Sequence, residues 1–313
     1  MRTARLGSSG LELSVVGFGA WEAGGGREWG AAPPDDQTVS AIRAVFDTGI
    51  RWIDTAEVYG SGRSEELVAT AIEGRRDEVL IASKVGPRPE GSGFRPEEVR
   101  RACAGSLGRL RTDRIDLYQL HWPDGSGVPV EETWGAMVGL AEEGLVRFIG
   151  VSNFDRGLIE RCEAVRHVDS LQQEFSMLVL EDRELIRWCG AQGIGVLAYG
   201  PLAYGMLTGA FTMDTTFAAG DHRGGRGGLF APDQRRRSLD VVDAIRPIAE
   251  RLGITLAQLA VAWNIHQPGV TSAIAGSRDA AHVRQNAEAG DVELDDETLR
   301  ELDAIVSRGP GSG

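Results

Sequence analysis

Val79-Leu80-Ile81-Ala82-Ser83-Lys84 is an uncharged run that ends abruptly in a charge. Its length and its lack of alternation predict a strand buried on both faces. An amphipathic helical pattern follows over 96–107, and a second apolar run over 115–120. Strand, helix and buried strand in that order make a βαβ unit, whose two strands are parallel.

The same alternation extends in both directions. Strands are predicted at 15–18, 52–54, 79–83, 115–120, 146–151, 170–173, 195–198 and 272–275, and helices among them at 36–46, 65–72, 96–107, 130–142, 155–165 and 185–191. Gly49, Gly74, Gly108, Gly144 and Gly193 fall near helix ends, where a left-handed cap favours glycine. Eight βα units imply an α/β chain closed into a (β/α)8 TIM barrel. Ahead of the first strand, 6–13 reads as an N-terminal β-hairpin placed to plug the barrel floor. Between the seventh and eighth strands the pattern breaks into a long loop, 205–235, rich in Gly and Arg. A loop of that length is functional or mobile. No linker divides the chain, so one domain over 1–313 is expected, with 308–313 a frayed tail.

Composition narrows the function classes. The net charge is −13, with 46 acidic against 33 basic residues, and this excludes a nucleic-acid partner, which needs a basic footprint. Met1-Arg2-Thr3-Ala4-Arg5 runs straight into a Gly/Ser turn, and no membrane-length apolar span follows. Cys103, Cys162 and Cys189 are odd in number and far apart, which predicts small core residues in a reducing, cytoplasmic setting. The five histidines have no HxxxH spacing, and no metal site is expected.

Among the 33 basic residues Lys84 is the one lysine. Arginine is a permanently charged fork, whereas lysine is a compact charge whose pKa moves on burial. A sole lysine at the end of a buried strand therefore marks a task that arginine cannot do, at the C-terminal face where barrels carry their chemistry. Asp54 ends the preceding strand, His121 follows the next, and Tyr59 lies five residues beyond Asp54. Consecutive barrel strands are neighbours, so the four side chains should converge. Asp54 supplies the counter-charge that a buried Lys84 needs. An ammonium beside Tyr59 favours its ionised form and makes it a usable proton donor. His121 can orient a carbonyl oxygen. The set fits carbonyl reduction, in which a hydride reaches carbon and a proton reaches oxygen.

These residues lie in the runs Trp52-Ile53-Asp54-Thr55-Ala56-Glu57-Val58-Tyr59-Gly60, Ser83-Lys84-Val85 and Gln119-Leu120-His121-Trp122-Pro123. Together they resemble the Asp, Tyr, Lys and His motifs of the aldo-keto reductases. The resemblance extends from the 6–13 hairpin to Asn286. It implies an oxidoreductase that reduces aldehydes, ketones or open-chain sugars by direct hydride transfer from NADPH. Tyr59 would be the general acid, Lys84 and Asp54 its tuners, and His121 the orienting group.

The resemblance also implies cofactor contacts. Ser152, Asn153 and Gln172 would hold the nicotinamide carboxamide, with Gln173 the alternative to Gln172 because only one of two adjacent strand residues points inward. Tyr199, in Ala198-Tyr199-Gly200-Pro201-Leu202, would stack on the nicotinamide, with Pro201 and Leu202 beside it. Phe175 stands where the family most often has tyrosine. Gly276, Ser277 and Arg278 lead into a helix ending in Gln285 and Asn286, the adenosine-phosphate segment. Arg278 would read a 2′-phosphate and favour NADP(H) over NAD(H), and His282 stands where many members carry arginine. Backbone N–H groups at that helix start would add to phosphate binding. Trp21, in Phe18-Gly19-Ala20-Trp21, and Trp122 would line the substrate pocket. Gly17-Phe18-Gly19-Ala20-Trp21-Glu22 begins like a dinucleotide fingerprint, but Glu22 breaks it. For the 205–235 loop two readings stand. It is a lid with Arg223 or Arg226 on the phosphates, or it is a solvated mobile segment.

The expected partner is a small-molecule carbonyl compound, and a monomer is expected. Two other classes compete. A redox-sensing subunit with this fold would carry a dedicated interaction segment. An aldolase-type barrel would need Lys84 as a neutral amine, and Asp54 opposes that.

Overall fold

A computed structural model of the chain describes residues 1–25, 29, 33–86, 94–125, 127–218, 220–225 and 228–308, the side chains of His222 and Gly225 excepted. Arg226, nearly all of the 86–93 loop and the tail beyond 308 lie outside the described residues.

Two short strands, β1 (Thr3–Arg5) and β2 (Glu12–Ser14), pair antiparallel. Eight more form a closed parallel barrel: β3 (Val16–Gly19), β4 (Trp52–Asp54), β5 (Leu80–Val85), β6 (Ile115–Leu120), β7 (Val146–Ser152), β8 (Ser170–Glu174), β9 (Gly195–Tyr199) and β10 (Val270–Gly276). β10 closes the ring by pairing with both β9 and β3. The chain is thus the expected (β/α)8 barrel, every strand returning through helical structure because a parallel neighbour needs a crossover.

The hairpin plugs the barrel floor. Leu6, Leu11 and Leu13 bury against Trp52, Ala82, Leu117 and Leu197 inside the ring. A Cβ on Gly195 would lie 2.4 Å from the Leu6 side chain, so this glycine makes the room for the plug. The buried Trp52 indole donates to the Ser14 carbonyl and the Ser272 hydroxyl, both at 3.2 Å. Such pairing removes the cost of burying its N–H. With its floor sealed, the barrel opens at the C-terminal ends of its strands.

Two expectations need correction. Gly108 is not a cap: the helix Pro96–Leu110 runs past it, and Arg111 (φ 52°) takes the left-handed position. Gly49, Gly74, Gly144 and Gly193 do have positive φ. The 205–235 stretch is also more ordered than a loop of its composition predicts. It begins within the 3-10 turn Ala203–Thr208 and ends within the helix Pro232–Leu252. Phe211, Phe217 and Phe230 pack edge to face within it, and Arg223 covers the Phe217 ring at 4.9 Å. A backbone bridge between Asp221 and Trp29 joins it to the loop after β3. Cys103, Cys162 and Cys189 are buried in three different helices, and burial pushes each thiol up to about 12.

Candidate active site

At the open end, the last residue of β4, the penultimate residue of β5 and the residue after β6 face one point. Lys84 is fully buried, and its Nζ donates to Asp54 Oδ2 at 2.6 Å, to the Thr55 carbonyl at 3.0 Å and to the Tyr59 hydroxyl at 3.2 Å. Three oxygens match the three donors of an ammonium. Burial lowers the Lys84 pKa, and the Asp54 carboxylate opposes that shift. The Tyr59 hydroxyl stands 3.5 Å from His121 Nε2. Burial, with the Lys84 charge second, pushes His121 well below its ordinary value, so its ring is neutral.

The Tyr59 turn is locked by backbone contact. Gly60 has φ 57°, and a Cβ there would lie 2.2 Å from the Gly24 carbonyl oxygen. Only glycine lets the turn after β3 and the turn after β4 close on one another. Behind β5 a second set of charges is satisfied in place. Ser83 donates to Glu65 at 2.6 Å, Arg109 donates to the other Glu65 oxygen at 2.7 Å, and Gly86 N–H donates to Glu57 at 3.1 Å.

This cluster lies at one end of a cleft of about 870 Å³. Asp54, Tyr59 and His121 line it, whereas Lys84 sits behind Asp54 and Tyr59 and reaches the cleft only through them. Trp21 lies 6.2 Å from the Tyr59 ring, and Trp122, 39% exposed, stacks on His121 at the rim. Farther along, Ser152, Asn153, Gln172, Tyr199, Pro201 and Leu202 border the same space. Asn153 is left-handed (φ 60°) and held by three partners: its amide donates to the His121 carbonyl at 3.0 Å and to Ser152 Oγ at 3.1 Å, and its oxygen accepts from the Tyr199 hydroxyl at 2.8 Å. Gln172 donates to Asp54 Oδ1 at 2.9 Å inside the barrel, while Gln173 turns outward to Asp182 at 2.6 Å. The register thus puts Gln172 in the cleft. Phe175 stacks on Trp263 in the core, centroids 5.4 Å apart.

Gly276, Ser277, Arg278, Gln285 and Asn286 line the far end. The helix Ala280–Glu288 is capped by Asp279, whose carboxylate accepts from Ala281 and His282 N–H. Arg223 lines the cleft as well, but it is engaged with Asp221 through two hydrogen bonds of 2.9 and 2.6 Å. The sequence reading missed Trp29, Tyr204 and Glu22 as cleft residues. Trp29 and Tyr204 both meet Trp21 edge-on, at 5.1 and 6.1 Å. Tandem aromatics at i and i+8 in one loop were the available signal for Trp29.

The description of the Aldo/keto reductase family matches residues 15–307. The chain belongs to the aldo-keto reductase family. It is similar to the aldo-keto reductase YhdN of Bacillus subtilis, with 35% identity over 98% of this chain and 94% of that protein. A glycerol dehydrogenase from Gluconobacter oxydans superposes with a TM-score of 0.87, at 32% identity over 99% of this chain and 96% of that one. An aldo/keto reductase from Klebsiella pneumoniae, solved in complex with NADP and acetate, gives a TM-score of 0.75 at 33% identity, covering 98% and 96%. As an aldo-keto reductase the chain is an oxidoreductase, and the resemblance read in its motifs stands. Among the described residues no helix is long and apolar enough to cross a membrane.

Proposed function

We propose that this chain is an NADPH-dependent carbonyl reductase that converts aldehydes, ketones or open-chain sugars to alcohols. The observation that carries the reading is the place of Lys84 Nζ, 2.6 Å from Asp54 and 3.2 Å from the Tyr59 hydroxyl, at the edge of a cleft large enough for dinucleotide and substrate. The cleft residues fit a nicotinamide dinucleotide. Ser152, Asn153 and Gln172 offer hydroxyl and amide groups, Tyr199 an aromatic ring, and Arg278 a guanidinium at the opposite end. That NADP is bound by the Klebsiella relative supports this assignment. Arg278 carries the preference for NADPH over NADH.

A nicotinamide dinucleotide held by these residues would supply the hydride that reaches the carbonyl carbon. Tyr59 gives its proton to the carbonyl oxygen. Because Tyr59 already accepts from Lys84, its own O–H is available to be donated, and the ammonium stabilises the charge left on the phenol oxygen. Asp54 keeps Lys84 charged in a site where burial opposes it. His121, neutral, orients the carbonyl by a hydrogen bond at Nε2. Trp21 and Trp122 offer stacking surface to a ring-bearing or sugar substrate. A single-barrel monomer in the cytoplasm completes the proposal, its compartment supported by three free, buried thiols.

The experiment is NADPH oxidation, followed by absorbance, with a reactive aromatic aldehyde, and NADH in parallel. Turnover that favours NADPH is expected. Multiple aldehydes and sugars left unreduced by a chain that binds NADPH would contradict the reading.

A further inference from the structure

One charged side chain of the cleft has no part in that chemistry. Glu22 follows β3 in the 3-10 turn Glu22–Gly24 and lines the same cavity as Arg278, Arg223 and His282. Its Oε2 is 4.0 Å from Arg278 Nε, and its side chain keeps 27% exposure, so solvent protons reach it. The turn is fixed. Gly25 N–H donates to the Glu22 carbonyl, and a Cβ on Gly24 would lie 2.7 Å from Gly60 N. The backbone that carries Glu22 is thus held against the turn that carries Tyr59.

We infer that Glu22 is an internal anion of the cleft, which occupies Arg278 before the dinucleotide arrives and makes dinucleotide affinity fall as pH rises. The inference rests on the proposed cofactor site. A dinucleotide phosphate drawn to Arg278 meets a carboxylate already at ion-pair range, and like charges in a partly buried site oppose each other's ionised forms. Binding therefore favours protonated Glu22 and takes up a proton. The surroundings of Glu22 fit this role. Burial raises its pKa, and Arg278, Arg223 and His282 only partly counter that, while Asp221 adds to it. Among the described residues those four are the charged and titratable groups that act on Glu22. Arg223 is paired with Asp221 at 2.6 Å, which leaves Arg278 as the guanidinium that Glu22 approaches most directly.

The test uses NADPH itself, titrated by its fluorescence over a pH series within which the chain stays folded. Calorimetry in two buffers of different ionisation enthalpy counts protons taken up. The unaltered chain, Glu22→Gln and His282→Gln are compared. The unaltered chain is expected to bind more weakly as pH rises and to take up protons. Glu22→Gln should bind roughly tenfold tighter at the alkaline end, the change that one unit of pKa displacement carries. Its pH dependence should flatten and its proton uptake fall. His282→Gln should keep the part of the pH dependence that belongs to Glu22. A Glu22→Gln chain that binds no tighter at alkaline pH and keeps the full proton uptake overturns the inference. Weaker binding in that variant does so too, because it makes Glu22 a holder of Arg278. An unaltered chain that does not bind NADPH at all overturns the cofactor reading, and the inference with it.

Discussion

The Lys84 ammonium and the Asp54 carboxylate are in contact at 2.6 Å in side chains that are almost wholly out of solvent. Burying such a pair is costly, and breaking it by removing one partner is costlier still. A fold retains it where the charge has a use, and here the third Nζ donor is aimed at the Tyr59 hydroxyl.

Lys84→Arg retains the charge and loses the geometry. The planar fork cannot enter a site with no exposed surface and still direct one donor to Asp54, one to Thr55 and one to Tyr59. The variant should lose about 10²–10⁴-fold in kcat, the share of a positioned general acid. Steady-state assay of a variant checked for normal melting decides. Activity within a few-fold of the unaltered chain would make the sole lysine an accident of composition.

Arg278→Ala should weaken NADPH binding by about ten- to a hundredfold, the worth of a charge-assisted hydrogen bond, and leave NADH nearly unchanged. Fluorescence titration of the two cofactors checks it. Equal losses would remove the phosphate-reading role.

His121 carries a pH signature for stability. Its folded pKa lies well below its ordinary value, because of burial first and Lys84 second. The unfolded chain takes up a proton at this residue below about pH 6.5, and the folded chain does not. Its contribution is therefore fully present above that pH and is lost as pH falls, by up to about 1.4 kcal/mol per unit. His121→Gln lacks the penalty. Urea unfolding at about pH 7.5 and about pH 5.5 should show the variant gaining on the unaltered chain at the acid pH. A difference that does not move with pH would contradict a buried neutral imidazole.

Much of this was legible in the sequence, because barrel strands buried on both faces leave unbroken apolar runs. The 79–83 run could be located for that reason, and 115–120 and 146–151 in spite of the Asp116, Gln119 and Arg147 that interrupt them, while Asp54, Lys84 and His121 could be placed from the order of strands alone. Other features were set by tertiary contact. The helix Leu256–Ile265 is buried all round, so it has no polar stripe to announce it. Arg111 takes a cap that Gly108 was expected to fill, because Pro96–Leu110 continues one turn farther than its pattern. Phe211, Phe217 and Phe230 organise a segment whose glycines and arginines suggest a loop. Glu22 read only as a broken fingerprint, since its proximity to Arg278 joins β3 to β10, neighbours that lie at opposite ends of the sequence.

The central claim is that Tyr59 delivers the proton. The most direct measurement sets the unaltered chain beside Tyr59→Phe, following NADPH oxidation with an aromatic aldehyde and NADPH binding by fluorescence on the same samples. Turnover should fall by about 10²–10⁴-fold in the variant while the dissociation constant for NADPH stays within a few-fold. A Tyr59→Phe chain that reduces the aldehyde at the unaltered rate would contradict it.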